Sequence, residues 1–259
     1  MTWRRLIQAL WSPFLALAAV LVLWEAVSWL SGAPRYLLPT PWEAGHAAWR
    51  ERAKLAAAVW ITGREAAAAL GVSAAAAALT ATAGARWRWF GRWLLPAATL
   101  ALTVPLLALA PLVLLWVGSG MRAVTVIAAV IGFFPILVNV TRGLLDVPSG
   151  LVDLFATRAA TPTQVLWKLR WPHALPAFFA GLRVAAGLAV VGAITGELFA
   201  GSANVGLGGL GYSLSYANAQ LQTDYLFALV AAASALGLGF YGAVAACEQA
   251  CVGHWHRPG

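Results

Sequence analysis

Long apolar runs alternate along this chain with shorter segments that hold most of its charge. Six runs approach or exceed the roughly 20 apolar residues a helix needs to cross a bilayer: 13–30, 64–83, 93–117, 123–140, 176–199 and 225–247. The pattern predicts an all-α fold, a polytopic membrane helix bundle of about six transmembrane helices in one domain over 1–259. The second run is the least hydrophobic, mainly Ala with Thr62, Ser73, Thr80 and Thr82 in or beside it. Small side chains let backbones approach closely, so this helix is expected inside the bundle. The first run has the look of a signal peptide, with "MTWRR" before it and "SGA" at 31–33 after it. Its apolar stretch is longer than a signal peptide's usual 7–15 residues, so a retained helix is expected. In the loop 31–63, "EAGHAAWRERAKLAAAVW" suggests a short helix lying at the membrane interface.

Composition agrees with this pattern. Hydrophobic residues make up 61% of the chain and charged ones 10%, against about 25% charged in an ordinary soluble domain. The net charge of +8 would suggest nucleic acid were it gathered on one face, but it lies between apolar spans. It is read as topology, because Lys and Arg collect on the cytoplasmic side. With the N-terminus inside, the inner segments hold Arg4, Arg5, Arg86, Arg88, Arg92, Arg142, Arg158, Lys168, Arg170 and Arg257. The outer ones hold Arg35, Arg50, Arg52, Lys54, Arg64 and Arg122. Ten against six favours both termini inside, although loop 31–63 runs against the rule.

That orientation puts the longest polar segment, 141–175, in the cytoplasm. Residues 149–161 and 163–171 read as two short helices, with Thr161 as an N-cap, Pro162 in a first turn and Pro172 ending the second helix. One face of the second helix carries Val165, Leu166 and Leu169, and the other Gln164, Lys168 and Trp171. Leu166 and Leu169 flanked by Trp167, Lys168 and Arg170 make the kind of aromatic and cationic anchor enriched at protein interfaces. Interfacial Trp, Lys and Arg also sit at lipid headgroups, and composition leaves the two readings even.

Chemistry is sparse. No G-x-x-x-x-G-K-[ST] loop is present and the only lysines are Lys54 and Lys168, so nucleotide phosphates have no P-loop to bind. "GLGGLG" (206–211) lacks a strand–helix context and is read as a re-entrant or gate-adjacent turn. Glu25, Arg183 and Glu197 lie in or near spans, where charge is costly and faces protein or water. Glu197 is the candidate gate residue, with interfacial capping as the alternative. Arg183 is expected to snorkel or pair with Asp146 or Asp153, and Glu25 to be a packing or interfacial residue. Gly192 and Gly196 form a small-xxx-small step, at a dimer seam or in the core. Asn139, Asn204 and Asn218 are the amides available to a polar solute. Cys247 and Cys251 read as small packing residues. His254 and His256 make a weak metal case, and no metal site is expected.

Motifs along almost the whole chain carry a resemblance. The segment "DLFATRAATPTQVLWKLRWPHALPAFFAGLRVAAG" (153–187) resembles the cytoplasmic EAA loop of ABC-importer permeases. "YLLPTPWEA" (36–44), "LALAPLVLLWVGSG" (107–120), "FFPILVNVTRGLLDV" (133–147), "GLR" (181–183), "GELFAG" (196–201) and "GLGGLGY" (206–212) are similar to elements of the nitrate, sulfonate and taurine import group. The resemblance implies the type I ABC importer permease fold in a bacterial inner membrane. It implies a homodimer pathway, a periplasmic or lipid-anchored substrate-binding protein, and ATP-Mg held by a separate ATP-binding subunit. No cofactor is expected on this chain, and its partners would include membrane lipid but no nucleic acid. The ATPase-docking loop would comprise Asp153, Ala159, Ala160, Thr161, Pro162, Gln164, Leu166, Trp167, Lys168, Arg170 and Pro172. The pathway or gate set is Glu197, Gly192, Gly196 and Asn139. Asp153 stands where the family has its loop Glu, Leu154 and Phe155 replace two alanines, and Ala159 falls at the loop glycine. Alanine does not take positive φ cheaply, so the turn is expected to be made differently or packed more tightly. Sulfonates, taurine, nitrate and thiamine-related pyrimidines are the solutes the resemblance suggests, with "YANAQLQTDYLFA" (216–228) leaning toward a heterocycle. The competing class is a secondary transporter, for which the spans offer few ion-coupling residues.

Overall fold

The computed structural model describes the backbone of residues 3–101, 103–200 and 208–253. Asn204, the start of the glycine motif, His254, His256 and Arg257 lie outside the described residues. The described chain contains helices α1 (Trp3–Leu30), α2 (Pro41–Arg50), α3 (Arg52–Arg86), α4 (Arg88–Ala101), α5 (Leu106–Val117) and α6 (Met121–Leu145). Then come α7 (Ser149–Thr157), α8 (Pro162–Val165), a π-helical turn (Leu166–Arg170), α9 (Trp171–Ala200), α10 (Leu210–Ala219) and α11 (Thr223–Val252), with no strand among them. Four stretches are long and apolar enough to cross a membrane: Arg52–Arg86, Met121–Leu145, Pro162–Ala200 and Thr223–Val252. Ala18–Leu30 and Ala108–Val117 are shorter apolar helices.

Expected and observed spans differ most at 93–117. That run is two helices, α4 and α5, separated at Thr103–Pro105. Pro105 disfavours helical geometry at Val104, and the last carbonyls of α4 are taken up locally. Thr103 and Val104 donate their N–H groups to Leu100 and Ala101, and the Thr103 hydroxyl also donates to Leu100. The helix α3 starts at Arg52, twelve residues before the apolar run it contains.

Compactness divides the chain into two units, residues 1–56 with 213–232, and 57–212 with 233–259. In the first, α1 is tied to the segment before α2: the Trp24 indole N–H donates to the Pro39 carbonyl at 3.0 Å and the Ser28 hydroxyl to Leu38 at 3.2 Å. Trp24 also stacks on Phe227. The segment 43–60, expected as one short helix, is divided between α2 and the start of α3. Thr40 and Glu43 form a capping box at the start of α2, and Trp42 and Trp49 stand exposed. The Thr40 backbone N–H, assisted by Arg35, holds the Glu43 carboxyl below the usual carboxylate range. Glu25 accepts the Trp29 indole N–H at 2.9 Å, which makes it a pairing partner on α1.

In the second unit α6 and α9 pair along their lengths. Their backbones come close because glycines face the partner helix. A Cβ on Gly192 would lie 2.8 Å from Ala128 Cα, and one on Gly181 2.9 Å from Ile136 Cα. A Cβ on Gly143 of α6 would lie 2.7 Å from Ala177. The helix α3 adds a buried stripe of Ala58, Thr62, Glu65, Ala66, Ala69, Ser73, Ala77, Ala81 and Gly84. This spacing of three and four buries one face of α3 against the rest of the chain. The Ser73 hydroxyl crosses to the Ala129 carbonyl at 2.7 Å.

Candidate functional site

The polar segment folds as a helical hairpin. Its first arm, α7, stops in a Schellman closure: Ala160 N–H donates to Phe155 O at 3.1 Å and Ala159 N–H to Ala156 O at 3.0 Å. That closure requires a left-handed residue, and Ala159 adopts it with φ of 51°. The expectation that alanine would avoid this conformation is corrected. Both hydrogen bonds close two orphan carbonyls, and they outweigh a Cβ penalty of about 1–2 kcal/mol. The second arm starts as expected, with Thr161 and Gln164 in a reciprocal capping box and Pro162 in its first turn.

Pro172 does not end that arm. The helix runs on through the π turn into α9, and Trp171 N–H reaches Leu166 O across five residues. A widened turn absorbs the N–H that Pro172 lacks, where a regular α-turn would clash. The turn also changes which side chains face the bundle. Leu166 is 5% exposed and sits in a core with Ala77, Ala81, Leu137, Val140 and Leu144, so it fastens the hairpin to the bundle and is no free docking anchor. Trp171, expected outward with Lys168, instead donates its indole N–H to Thr82 of α3 at 3.1 Å. What remains outward is Leu154, Phe155, Arg158, Ala160, Gln164 and Lys168, lining a shallow cleft of about 370 Å³. Asp153 and Trp167 are exposed nearby.

At the opposite end of α9, Glu197 is 5% exposed. The Thr62 hydroxyl donates to its Oε1 at 2.6 Å, and Gly211 N–H donates to its Oε2 at 2.5 Å. Leu210 N–H donates to Thr62 Oγ1 at 2.8 Å. A carboxylate from α9 and a hydroxyl from α3 thus cap the first turn of α10, satisfying donors that no helix can satisfy itself. Gly209 and Gly211 are explained by this approach. A Cβ at Gly209 would overlap the Glu197 carboxylate and Thr62 hydroxyl, and one at Gly211 would overlap the Ile194 carbonyl. Neither glycine has positive φ. Glu65, one turn along α3 from Thr62, was not singled out from sequence because it lies at the edge of its apolar run. It is buried, and its carboxyl lies against that of Glu197.

The remaining candidates are occupied locally. Asn139 donates from Nδ2 to Pro135 O at 2.8 Å. Gly192 and Gly196 face Ala128 and Val124 of α6 in the same chain. Arg183 pairs with Glu248 of α11 at 3.2 Å, not with Asp146 or Asp153. Cys247 and Cys251 are exposed, not packed inside. Asn218 is exposed on α10.

A family model described as binding-protein-dependent transport system inner membrane component matches residues 69–250. The chain belongs to that family. It is the permease subunit of an ABC-type importer, a multi-pass inner-membrane protein that works with ATP-binding and substrate-binding components and is a transport subunit, not a catalytic one. The secondary-transporter reading falls away. The permease is 32% identical to a "Probable ABC transporter permease protein" of Haemophilus influenzae, over 88% of this chain and 91% of that one. It is 36% identical to the riboflavin transport system permease protein RibX of Chloroflexus aurantiacus, over 87% and 83%. With the formylaminopyrimidine transport permease protein ThiX of Halalkalibacterium halodurans it shares 34% identity over 60% of each chain.

Proposed function

We propose that two copies of this permease form the pathway of an importer for a small heterocyclic solute, and that each hairpin docks into a separate ATPase subunit on the cytoplasmic side. ATP-Mg binds only that partner, whose closure draws the hairpins together and rocks the bundles between inward-open and outward-open states. Both termini lie inside, and a substrate-binding protein delivers solute to the outer face. The observation supporting docking is the exposed outer surface of the hairpin, where Leu154, Phe155 and Gln164 stand between the cations Arg158 and Lys168. For the solute, the support is that RibX and ThiX are both named for heterocycles. This reading favours a flavin- or pyrimidine-like solute over sulfonate or taurine.

The docking test is co-purification of the permease with its ATPase. Leu154→Asp combined with Lys168→Glu should weaken association at least tenfold, since truncating interface anchors costs about 2 kcal/mol or more. Both residues are exposed, so the variant should fold normally. Retained association together with retained uptake would overturn the coupling role. Calorimetry of the binding protein with riboflavin, an aminopyrimidine and taurine tests the solute class.

A further inference from the structure

Two clefts meet on the inner side of the hairpin, where α3 ends. One, of about 240 Å³, lies between Arg86 of α3, Val152 and Ala156 of α7, and Pro162 and Arg170. The other, of about 450 Å³, follows α3 past Leu79 and Ala83 between Trp87 and the pair Trp167 and Trp171. Arg86 and Leu166 line both, so the two clefts adjoin along the end of α3. Their chemistry differs. The first has Arg86 and Arg170 in its wall, and among the described residues neither side chain has a carboxylate within ion-pair distance. The second is walled almost entirely by carbon. Its aromatic wall is built: Trp171 is held by Thr82, and Trp167 stacks on it at 6.1 Å and 10°. Trp87 and Trp167 remain 61% and 57% exposed, more apolar surface than water favours.

A free anion would use only the cationic cleft, and a hydrocarbon chain only the apolar one. A molecule with an anionic head joined to an acyl chain fills both. The stretch from Leu79 to Trp87 covers about 12 Å of helix, enough to lie alongside the upper part of such a chain. Basic pockets between membrane helices on the cytoplasmic side are suited to acidic lipid headgroups. We propose that this cleft binds an anionic phospholipid of the cytoplasmic leaflet, with its headgroup on Arg86 and Arg170 and its acyl chain along Leu79, Trp87 and Trp171. Bound there, the lipid fills the gap between hairpin and bundle and fixes the resting angle of the hairpin. The inference rests on the orientation and coupling role proposed above.

The test uses the assembled permease–ATPase complex in phosphatidylcholine nanodiscs doped with phosphatidylglycerol or phosphatidylcholine carrying the same photoreactive acyl chain. Adducts are mapped by peptide mass spectrometry. Phosphatidylglycerol should label 79–87 and 167–171 at least fivefold more than phosphatidylcholine. Arg86→Gln should lower that preference about fivefold, the effect of one cation near an acidic headgroup. Arg86→Gln with Arg170→Gln should abolish it, and Arg86→Lys should keep it. Equal labelling by the two lipids, or labelling unchanged in Arg86→Gln, would overturn the site. Displacement by millimolar inorganic phosphate would make it a free-anion site instead. Labelling of the permease alone that vanishes in the complex would assign the cleft to the ATPase polypeptide. Co-purification of Arg86→Gln with the ATPase separates the readings: intact association with lost labelling removes the lipid site and leaves coupling standing.

Discussion

Ala159 shows a single residue held in an unfavourable conformation by its neighbours. Its left-handed φ completes the closure that ends α7, and glycine would make the same closure without strain. Ala159→Gly should therefore stabilise the hairpin by about 1 kcal/mol, visible as slower amide exchange over 156–162. Ala159→Val should do the reverse. Glu197 argues in the other direction, because it has no substitute. Glu197→Ala leaves Gly211 N–H and the Thr62 hydroxyl without acceptors, at a cost of about 1–3 kcal/mol each where buried. Thermal unfolding in detergent should drop, and exchange over 209–213 should quicken. Gly209→Ala should act the same way by collision. In the sequence, Glu197 was recognisable as special because an acid near hydrocarbon is costly. Its partners were not, since Thr62 and Gly211 are 135 and 14 residues away and only the fold joins them.

Elements were legible wherever a period or a cap sets them. The N-cap at Thr161 and the apolar runs of α3, α6, α9 and α11 needed only local rules. What escaped was set by compensation between neighbours: the break before Pro105 and the π turn that carries the chain past Pro172. A proline signals trouble for a helix without saying whether the helix stops or widens. The facing of the α9 glycines was equally hidden, since the sequence leaves open which partner each meets. The structure separates them on one helix: Gly192 contacts the Ala128 backbone, and a Cβ on Gly187 would meet nothing within 4 Å. Gly192→Leu should lower stability by about 3 kcal/mol or prevent folding, by overpacking at a close helix crossing. Gly187→Leu should leave the melting temperature of the purified permease within a few degrees of wild type. Similar losses for both would mean that α6 and α9 do not pair as described.

At the scale of the molecule, orientation decides what every surface can meet. Three of the six cations expected to be external are paired among the described residues: Arg35 with Glu43 at 2.9 Å, Arg50 with Asp224 at 3.3 Å and Lys54 with Glu51 at 2.8 Å. Arg52 lies over the Trp49 ring, 5.0 Å from its centroid. In the segments proposed to lie inside, Arg86, Arg158, Lys168 and Arg170 have no such acid among the described residues. Acids hardly offset the charge rule, so these pairs leave the cations of loop 31–63 counting against the proposed orientation. Single cysteines test this directly in a Cys247→Ser, Cys251→Ser background. Gln220→Cys and Thr163→Cys place the probe at exposed positions on α10's closing turn and on the hairpin. A membrane-impermeant maleimide added to intact cells should modify Gln220→Cys at least tenfold faster than Thr163→Cys, and the order should invert in inside-out vesicles. Fast modification of Thr163→Cys from outside would put the hairpin on the side where no ATP is available. Neither the ATPase nor a cytoplasmic-leaflet lipid could then reach it, and both proposals would fail together.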